Sequence, residues 1–239
     1  MNPFDGEREP DKITPQSKRW TMPTVLMAVI LTIQVLLSVG AYPFLPDQVP
    51  VHWNISGQAN SYAPKGVGLT LLPLISFVIF VVLRLIVKLG PRLTRDGEQN
   101  NSHFIDVTLS GVMLLMLVIQ LATVALSLGV HLDMRFIISL VVSLFLIVIG
   151  NYMGKLRRNF WAGIRTPWTL TNDTVWERTH RLGGWLFVAA GLIGLISSFV
   201  PQLSVAGLLV PILGVSIICY VYSYFVYQRV TMSDSSQEE

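Results

Sequence analysis

Apolar residues in this chain arrive in long unbroken blocks. Six of them, Pro23–Tyr42, Val67–Leu89, Phe104–Gly129, Phe136–Met153, Leu182–Val200 and Leu203–Tyr227, come close to or exceed the ~20 residues that an α-helix needs to cross hydrocarbon. The last two abut. No charge occurs between Leu182 and Tyr227, the run is too long for one crossing, and Pro201-Gln202 supplies a tight reversal. His131-Leu132-Asp133-Met134-Arg135 makes a short polar turn between the third and fourth blocks. The pattern predicts an all-α integral membrane protein of six transmembrane helices, with both termini on one side.

Composition narrows the class. Of 239 residues, 52% are hydrophobic and 13% charged, about half the ~25% charge of a soluble domain. That balance argues against a disordered chain, a nucleic-acid module or a secreted disulfide scaffold. The single cysteine, Cys219, allows neither an internal disulfide nor a CxxC motif.

Charge placement sets the orientation. Of the 17 Lys and Arg residues, only Lys65 and Arg135 fall on one side of the six predicted spans, and the other fifteen fall on the opposite side. Basic residues stay in the cytoplasm, so the expectation is a multi-pass membrane protein with both termini inside. The pI of about 9.1 then records orientation, with no direct nucleic-acid partner. Residues 1–21 read as a disordered cytoplasmic arm. Residues 22–90 read as a two-helix domain with extracellular loop 43–66, and residues 104–227 as a four-helix domain with cytoplasmic loop 154–181. Residues 228–239 read as a cytoplasmic tail, disordered from Met232 onward. Val39-Gly40-Ala41 resembles a cleavage site, but the polar leader and the apolar core before it are both too long for a signal peptide.

Two loops are too specific in composition to be plain connectors. In the outer one, Pro46, Pro50, Gly57 and Pro64 punctuate a rigid, turn-rich segment, and Val49, Val51 and Trp53 alternate as in a short strand. One reading makes His52, Trp53 and Asn54 a recognition surface. The other makes Trp53 and Tyr62 interfacial anchors and His52 a local hydrogen-bond partner.

The inner loop, Asn151 to Gly184, is richest in polar groups. Thr174 followed by Glu177 matches a capping box and predicts a helix start there. On that helix Trp176, Thr179, His180 and Gly183 share one face, Arg178 lies on another, and Glu177 can pair with Arg181. Pro167 forces Thr166 to be extended. Three uses stay open. The loop could rest on the membrane surface, with Trp161, Trp168, Trp176 and Trp185 among the headgroups and Arg157 and Arg158 on anionic lipid. It could dock a partner through the same aromatics and arginines. Least supported is an enzyme with His180 as general base, since neither a carboxylate pair nor a nucleophile motif accompanies it.

Metal binding and coupled transport find little support. His52 and His131 are predicted outside and His103 and His180 inside, with no HxxxH or HExxH spacing. A metal site would need the outer pair joined by Asp47 or Asp133, so no metal or cofactor is expected. Arg84, Lys88 and Asp106 sit near span ends, where they can snorkel. Deeper lie only neutral groups such as Gln34 and Gln120, which tend to bond across helices.

The run Asn151…Gly154-Lys155…Asn159…Gly163-Ile164-Arg165-Thr166-Pro167-Trp168-Thr169-Leu170…Val175-Trp176…Thr179-His180-Arg181…Gly184 resembles the signature of the SdpI family of bacterial membrane immunity proteins. Pro46…Val49-Pro50-Val51-His52-Trp53-Asn54…Gly57…Lys65 resembles an N-terminal domain of uncharacterised function often fused to that family. The resemblance implies protection of a producing cell against a secreted toxic peptide. In one member it also implies capture of a small cytoplasmic autorepressor at the membrane. It points to Pro50, His52, Trp53, Asn54 and Gly57 for toxin recognition. For partner docking it points to Asn159, Gly163, Arg165, Thr166, Pro167, Trp168, Thr169, Trp176, Thr179, His180 and Arg181. No catalytic residue is implied. The competing expectations are a membrane-embedded enzyme using His180 and a structural subunit of a membrane complex. Membrane lipid is a partner in every case, and the oligomeric state is not fixed by the sequence.

Overall fold

A computed structural model describes residues 22–93, 102–159 and 162–235. The predicted arm, Trp161 and residues 236–239 of the predicted tail lie outside them. In chain order the described elements are α1 (Met22–Ala41), β1 (Gln48–Trp53), β2 (Ala59–Pro64), α2 (Lys65–Leu93) and α3 (Ser102–Ser127). There follow α4 (Met134–Met153), a short α5 (Pro167–Thr171), α6 (Asp173–Ser198) and α7 (Ser204–Ser235). Among the described residues six helices, all but α5, are long and apolar enough to cross a membrane. Hydrocarbon offers no partner for backbone N–H and C=O groups, so spanning segments must satisfy them within the helix.

Chemistry at the helix ends explains where the elements begin. Asp133 caps α4 by accepting from the Arg135 N–H at 2.9 Å. Asn172 caps α6 through the Val175 N–H at 3.1 Å. The helix therefore starts before the expected Thr174–Glu177 box, because Asn172 is extended and its carbonyl-bearing side chain already reaches the first turn. Likewise α7 runs on to Ser235, so Met232–Ser235 are helical where the sequence suggested disorder. At ~1.5 Å per residue its 32 residues span about 48 Å, well past the hydrocarbon.

Beneath these ends the helices pack through small residues. A methyl added at Gly150 of α4 would lie 2.7 Å from the Gly184 carbonyl oxygen of α6, and one at Gly184 would lie 2.8 Å from that of Gly150. Further along, a methyl at Gly191 would lie 2.7 Å from the Ser143 carbonyl oxygen and one at Gly194 would lie 2.5 Å from the Ser143 hydroxyl. The glycines of α6 thus serve contacts inside the chain, where small residues let backbones approach within a membrane. In the other half, Met27, Ile30, Met113 and Leu117 form a core between α1 and α3. Gln120 of α3 donates to the Gln34 carbonyl at 3.1 Å and to Ser38 Oγ at 2.8 Å, which is the cross-helix role expected of it.

Both described chain ends lie at one end of the bundle. Arg84 near the end of α2 donates to Thr24 at the start of α1 at 3.0 Å. Phe104 at the start of α3 packs with Leu156 and Trp176, and Thr166 meets Ser223 of α7. This is called the basic end below, and the end bearing β1–β2 the hairpin end.

The Gly150–Gly184 seam leads to a prediction. Gly184→Val should cost at least the ~1–3 kcal/mol typical of overpacking, seen as a lower Tm in detergent. Gly214→Ala, where a methyl meets nothing within 4 Å, should leave Tm unchanged or raise it.

Candidate functional site

The sequence from Leu156 to Thr171 leaves the helical pattern at Gly154 and resumes it at Pro167, so its backbone groups need partners other than a helix. Much of the answer is side chains. Asn159 donates from Nδ2 to the Arg157 carbonyl at 2.8 Å and accepts the Ala162 N–H at 2.8 Å. Thr166 is extended, as Pro167 requires, and caps α5 reciprocally. The Thr169 N–H donates to Thr166 Oγ1 at 3.2 Å and the Thr166 N–H to Thr169 Oγ1 at 2.9 Å. The Thr169 hydroxyl donates onward to the Ile164 carbonyl at 2.8 Å.

His180 is the centre of this network. Its Nε2 lies 2.9 Å from the Ile164 N–H, which can only donate, so Nε2 accepts. The proton is then on Nδ1, which donates to the Trp176 carbonyl at 2.8 Å. The ring is also stacked on Trp176 at 3.9 Å between centroids, and Trp176 Nε1 donates to the Leu156 carbonyl at 2.7 Å. Gly163 is required twice over. Its φ of +110° disfavours any L side chain, and a Cβ there would collide with His180 Nε2. With both ring nitrogens engaged, His180 has no lone pair to offer as a general base.

Of the inner-loop residues singled out from the sequence, Asn159, Thr166, Thr169, Trp176, Thr179 and His180 are buried, and all but Thr179 bond to one another or to the loop backbone. Trp168 packs on Tyr220 and Tyr224 of α7 at 5.3 and 5.1 Å. Arg165, Pro167 and Arg181 are exposed. An ion pair at this end joins Arg158 to Asp173 at 2.6 Å. Among the described residues Glu177 and Arg181 form none, although the sequence suggested it. Trp185 projects outward at 73% exposure, as a headgroup-level residue would.

At the other end, β1 and β2 pair antiparallel, with irregular register on either side of His52. The alternating valines thus do form a strand. Its partner, Ala59–Pro64, lacks that alternation and was not legible. Val49 is fully buried among Ala41, Leu45, Leu69 and Val124, which seats the hairpin on α1, α2 and α3. Pro50 is buried beside it. Lys65 closes the base, pairing with Asp47 at 3.3 Å and donating to the Leu45 carbonyl at 3.2 Å. His52 bonds to Asn60 across the strands at 2.6 Å. Asn54 Oδ1 accepts the N–H groups of Ser56 and Gln58, both at 3.0 Å, so it shapes the turn that Gly57 completes at φ +74°.

This turn is not free in solvent. A methyl at Gly57 would lie 2.7 Å from Arg135 Cγ, so the tip rests on the start of α4. Trp53, Asn54 and Gly57 line a notch of about 170 Å³ with Arg135 and Ile138 of α4 and Leu208 of α7 among the other walls. Its rim carries the Asp133–Arg135 pair at 3.0 Å. Hydrogen bonding from Arg135 holds the Asp133 carboxyl below the usual carboxylate range. The pair therefore stays charged at neutral pH and is lost only as the pH falls through that lowered value. The walls on α4 and α7 were missed because they lie in apolar blocks. Arg135, one of two basic residues on its side, was the available signal. Among the described residues no three His, Cys, Asp or Glu side chains converge to hold a metal ion.

Comparison with known proteins divides the chain at similar places. The model of the SdpI/YfhL protein family matches residues 155–224, the loop with α5, α6 and most of α7. A domain of unknown function matches residues 29–77, which contain the hairpin. The immunity protein SdpI of Bacillus subtilis (strain 168) is 30% identical over 210 residues, which are 87% of this chain and 98% of that protein. No solved structure matches.

The His180 geometry can be tested directly. His180→Phe keeps the ring but strands the Ile164 N–H and the Trp176 carbonyl, and should cost about 1–3 kcal/mol. The expected readout is a lower Tm together with faster tryptic cleavage at Arg165, while the other helices stay protected.

Proposed function

The chain belongs to the SdpI/YfhL protein family, and from that premise we propose that this multi-pass membrane protein is an immunity protein protecting its cell against a secreted toxic peptide. The hairpin end faces outward and both termini are cytoplasmic, because fifteen of the 17 basic residues belong to the opposite side. The observation that carries the reading is the notch. Three residues of the hairpin, Trp53, Asn54 and Gly57, meet α4 and α7 around one partly apolar hollow. A peptide arriving from outside or along the membrane surface meets an aromatic ring, apolar walls and a charged rim there. His52 and Pro50 support the hollow by fixing the strand that bears Trp53.

The basic end favours a second role, capture of a cytoplasmic autorepressor by its acidic surface. Lys155, Arg165, Arg178 and Arg181 are exposed at this end of the bundle, while Asn159, Gly163, Thr166, Thr169, Trp176 and His180 hold the loop that presents them and Thr179 is buried beneath it. Trp168 holds α5 against α7 in the same way, and Pro167 fixes the extended Thr166 that caps α5. The reading is non-enzymatic, since the one histidine placed to act as a base has both nitrogens committed.

The test is survival of a toxin-sensitive Gram-positive strain expressing the chain and challenged with a sporulation-delay-type toxic peptide. Wild type should protect. Trp53→Ala and Ile138→Trp, which empty and fill the notch, should each reduce survival about tenfold or more at equal membrane abundance. Full protection by Ile138→Trp would remove the notch from the mechanism. No protection by wild type, with stable co-purifying membrane proteins instead, would make the chain a structural subunit.

A further inference from the structure

A second hollow lies at the basic end, apart from the notch, and shares Arg165 with the basic surface just described. It is a groove of about 270 Å³ between α6 and α7, beneath the loop that runs from Ile164 to Thr166. Its walls are Phe187 of α6 and Val215 and Cys219 of α7, with Tyr220 beside them and Arg165 and Thr166 at its head. The Thr166–Ser223 bond at 3.1 Å fixes the head at the level of Ser223. Ser223, Cys219 and Val215 then descend α7 in steps of four, so the groove runs about 12 Å along the helix axis. It opens on a flank where Leu213, Ile217 and Tyr220 are 62%, 65% and 55% exposed. In a membrane-spanning helix such side chains face acyl chains.

We propose that this groove is a binding site for one anionic phospholipid, with its phosphate on the Arg165 guanidinium and an acyl chain along Phe187, Val215 and Cys219. Three features select that occupant. The groove is polar and basic at one end only. That end lies where the bundle gathers its basic residues and where headgroups sit in a membrane. The apolar part is parallel to the helix axis, which is the direction an acyl chain takes beside a transmembrane helix. A guanidinium binds a phosphate through two parallel N–H donors and remains charged at every relevant pH. The bound lipid would brace the loop from below, because its phosphate is held by the residue next to the Thr166 cap. The inference is independent of the immunity reading.

The experiment uses the full chain purified in a neutral non-ionic detergent. Native mass spectrometry follows titration with phosphatidylglycerol, with phosphatidylcholine of the same acyl chains, and with inorganic phosphate alone. Wild type should retain one phosphatidylglycerol about tenfold more tightly than phosphatidylcholine, with no detectable effect of phosphate. Arg165→Gln should abolish the preference. Ser216→Trp, placed on the exposed lip of the groove, should block both lipids while leaving the lipid-free Tm unchanged. Equal retention of the two lipids by wild type would overturn the proposal, as would a preference surviving in Arg165→Gln. If Arg165→Gln fails to fold, Ser216→Trp decides: unchanged phosphatidylglycerol binding overturns the site. A lipid-independent dimer that Ser216→Trp disperses would assign the groove to a second copy of the chain and overturn it equally.

Discussion

Contact between the backbones of α4 and α6 at Gly150 and Gly184 governs the basic end of the bundle. With no Cβ on either residue, each carbonyl oxygen comes within 3 Å of where the other's side chain would begin. Nothing larger than hydrogen fits. Dispersion and close packing, rather than water exclusion, hold helices together in lipid, so this approach is worth more here than in a soluble core. It also fixes the register of α6 against α4. Trp176, Thr179, His180 and Gly183 are thereby brought under the segment that leaves α4 at Gly154. Were α6 displaced by one side-chain diameter, Trp176 Nε1 would no longer reach the Leu156 carbonyl, nor His180 the Ile164 N–H.

From that register follows a division of labour between the two ends. The loop at the basic end spends its polar side chains on its own backbone: Asn159, Thr166, Thr169 and His180 answer carbonyl and N–H groups that no helix would satisfy. What such a loop offers a partner is the charge it holds outward. The hairpin end is built differently. There β1 and β2 satisfy one another, Val49 anchors the pair in the bundle, and the tip meets α4 and α7 imperfectly, leaving a hollow instead of a sealed joint.

The sequence announced the spans because length and apolar character alone decide a crossing, and it announced Thr166 because Pro167 restricts its neighbour by local sterics. The hairpin was half visible: Val49 and Val51 alternate, whereas Ala59–Pro64 is held by pairing, which no single-strand pattern reveals. The start of α6 was misplaced by two residues since Asn172 and Thr174 are both competent caps, and tertiary docking against Leu156 chooses between them. Least legible was which inner-loop side chains are buried. Trp176, Thr179 and His180 share a face in any helical reading. That this face is turned inward depends on Gly163 entering a positive φ, which brings the Ile164 N–H over the imidazole. Nor does the sequence say what the glycines of α6 touch: the three-dimensional packing sets Gly184 and Gly191 against α4.

The two ends are not mechanically separate. α4 contributes Arg135 and Ile138 to the notch and Gly150 and Met153 to the basic end, and α7 contributes Leu208 above and Ser223 below. Any occupant of the notch proposed as the toxin site would bear on both helices at once. Because α4 is locked to α6 by backbone contact along Ser143, Gly150, Gly184 and Gly191, it yields as a unit with α6 or not at all. α7 meets α6 through side chains, with Pro211 removing one backbone hydrogen bond from its own ladder. The softer of the two routes from the notch to the loop is therefore α7, and Trp168 with Thr166 is where its movement would be felt.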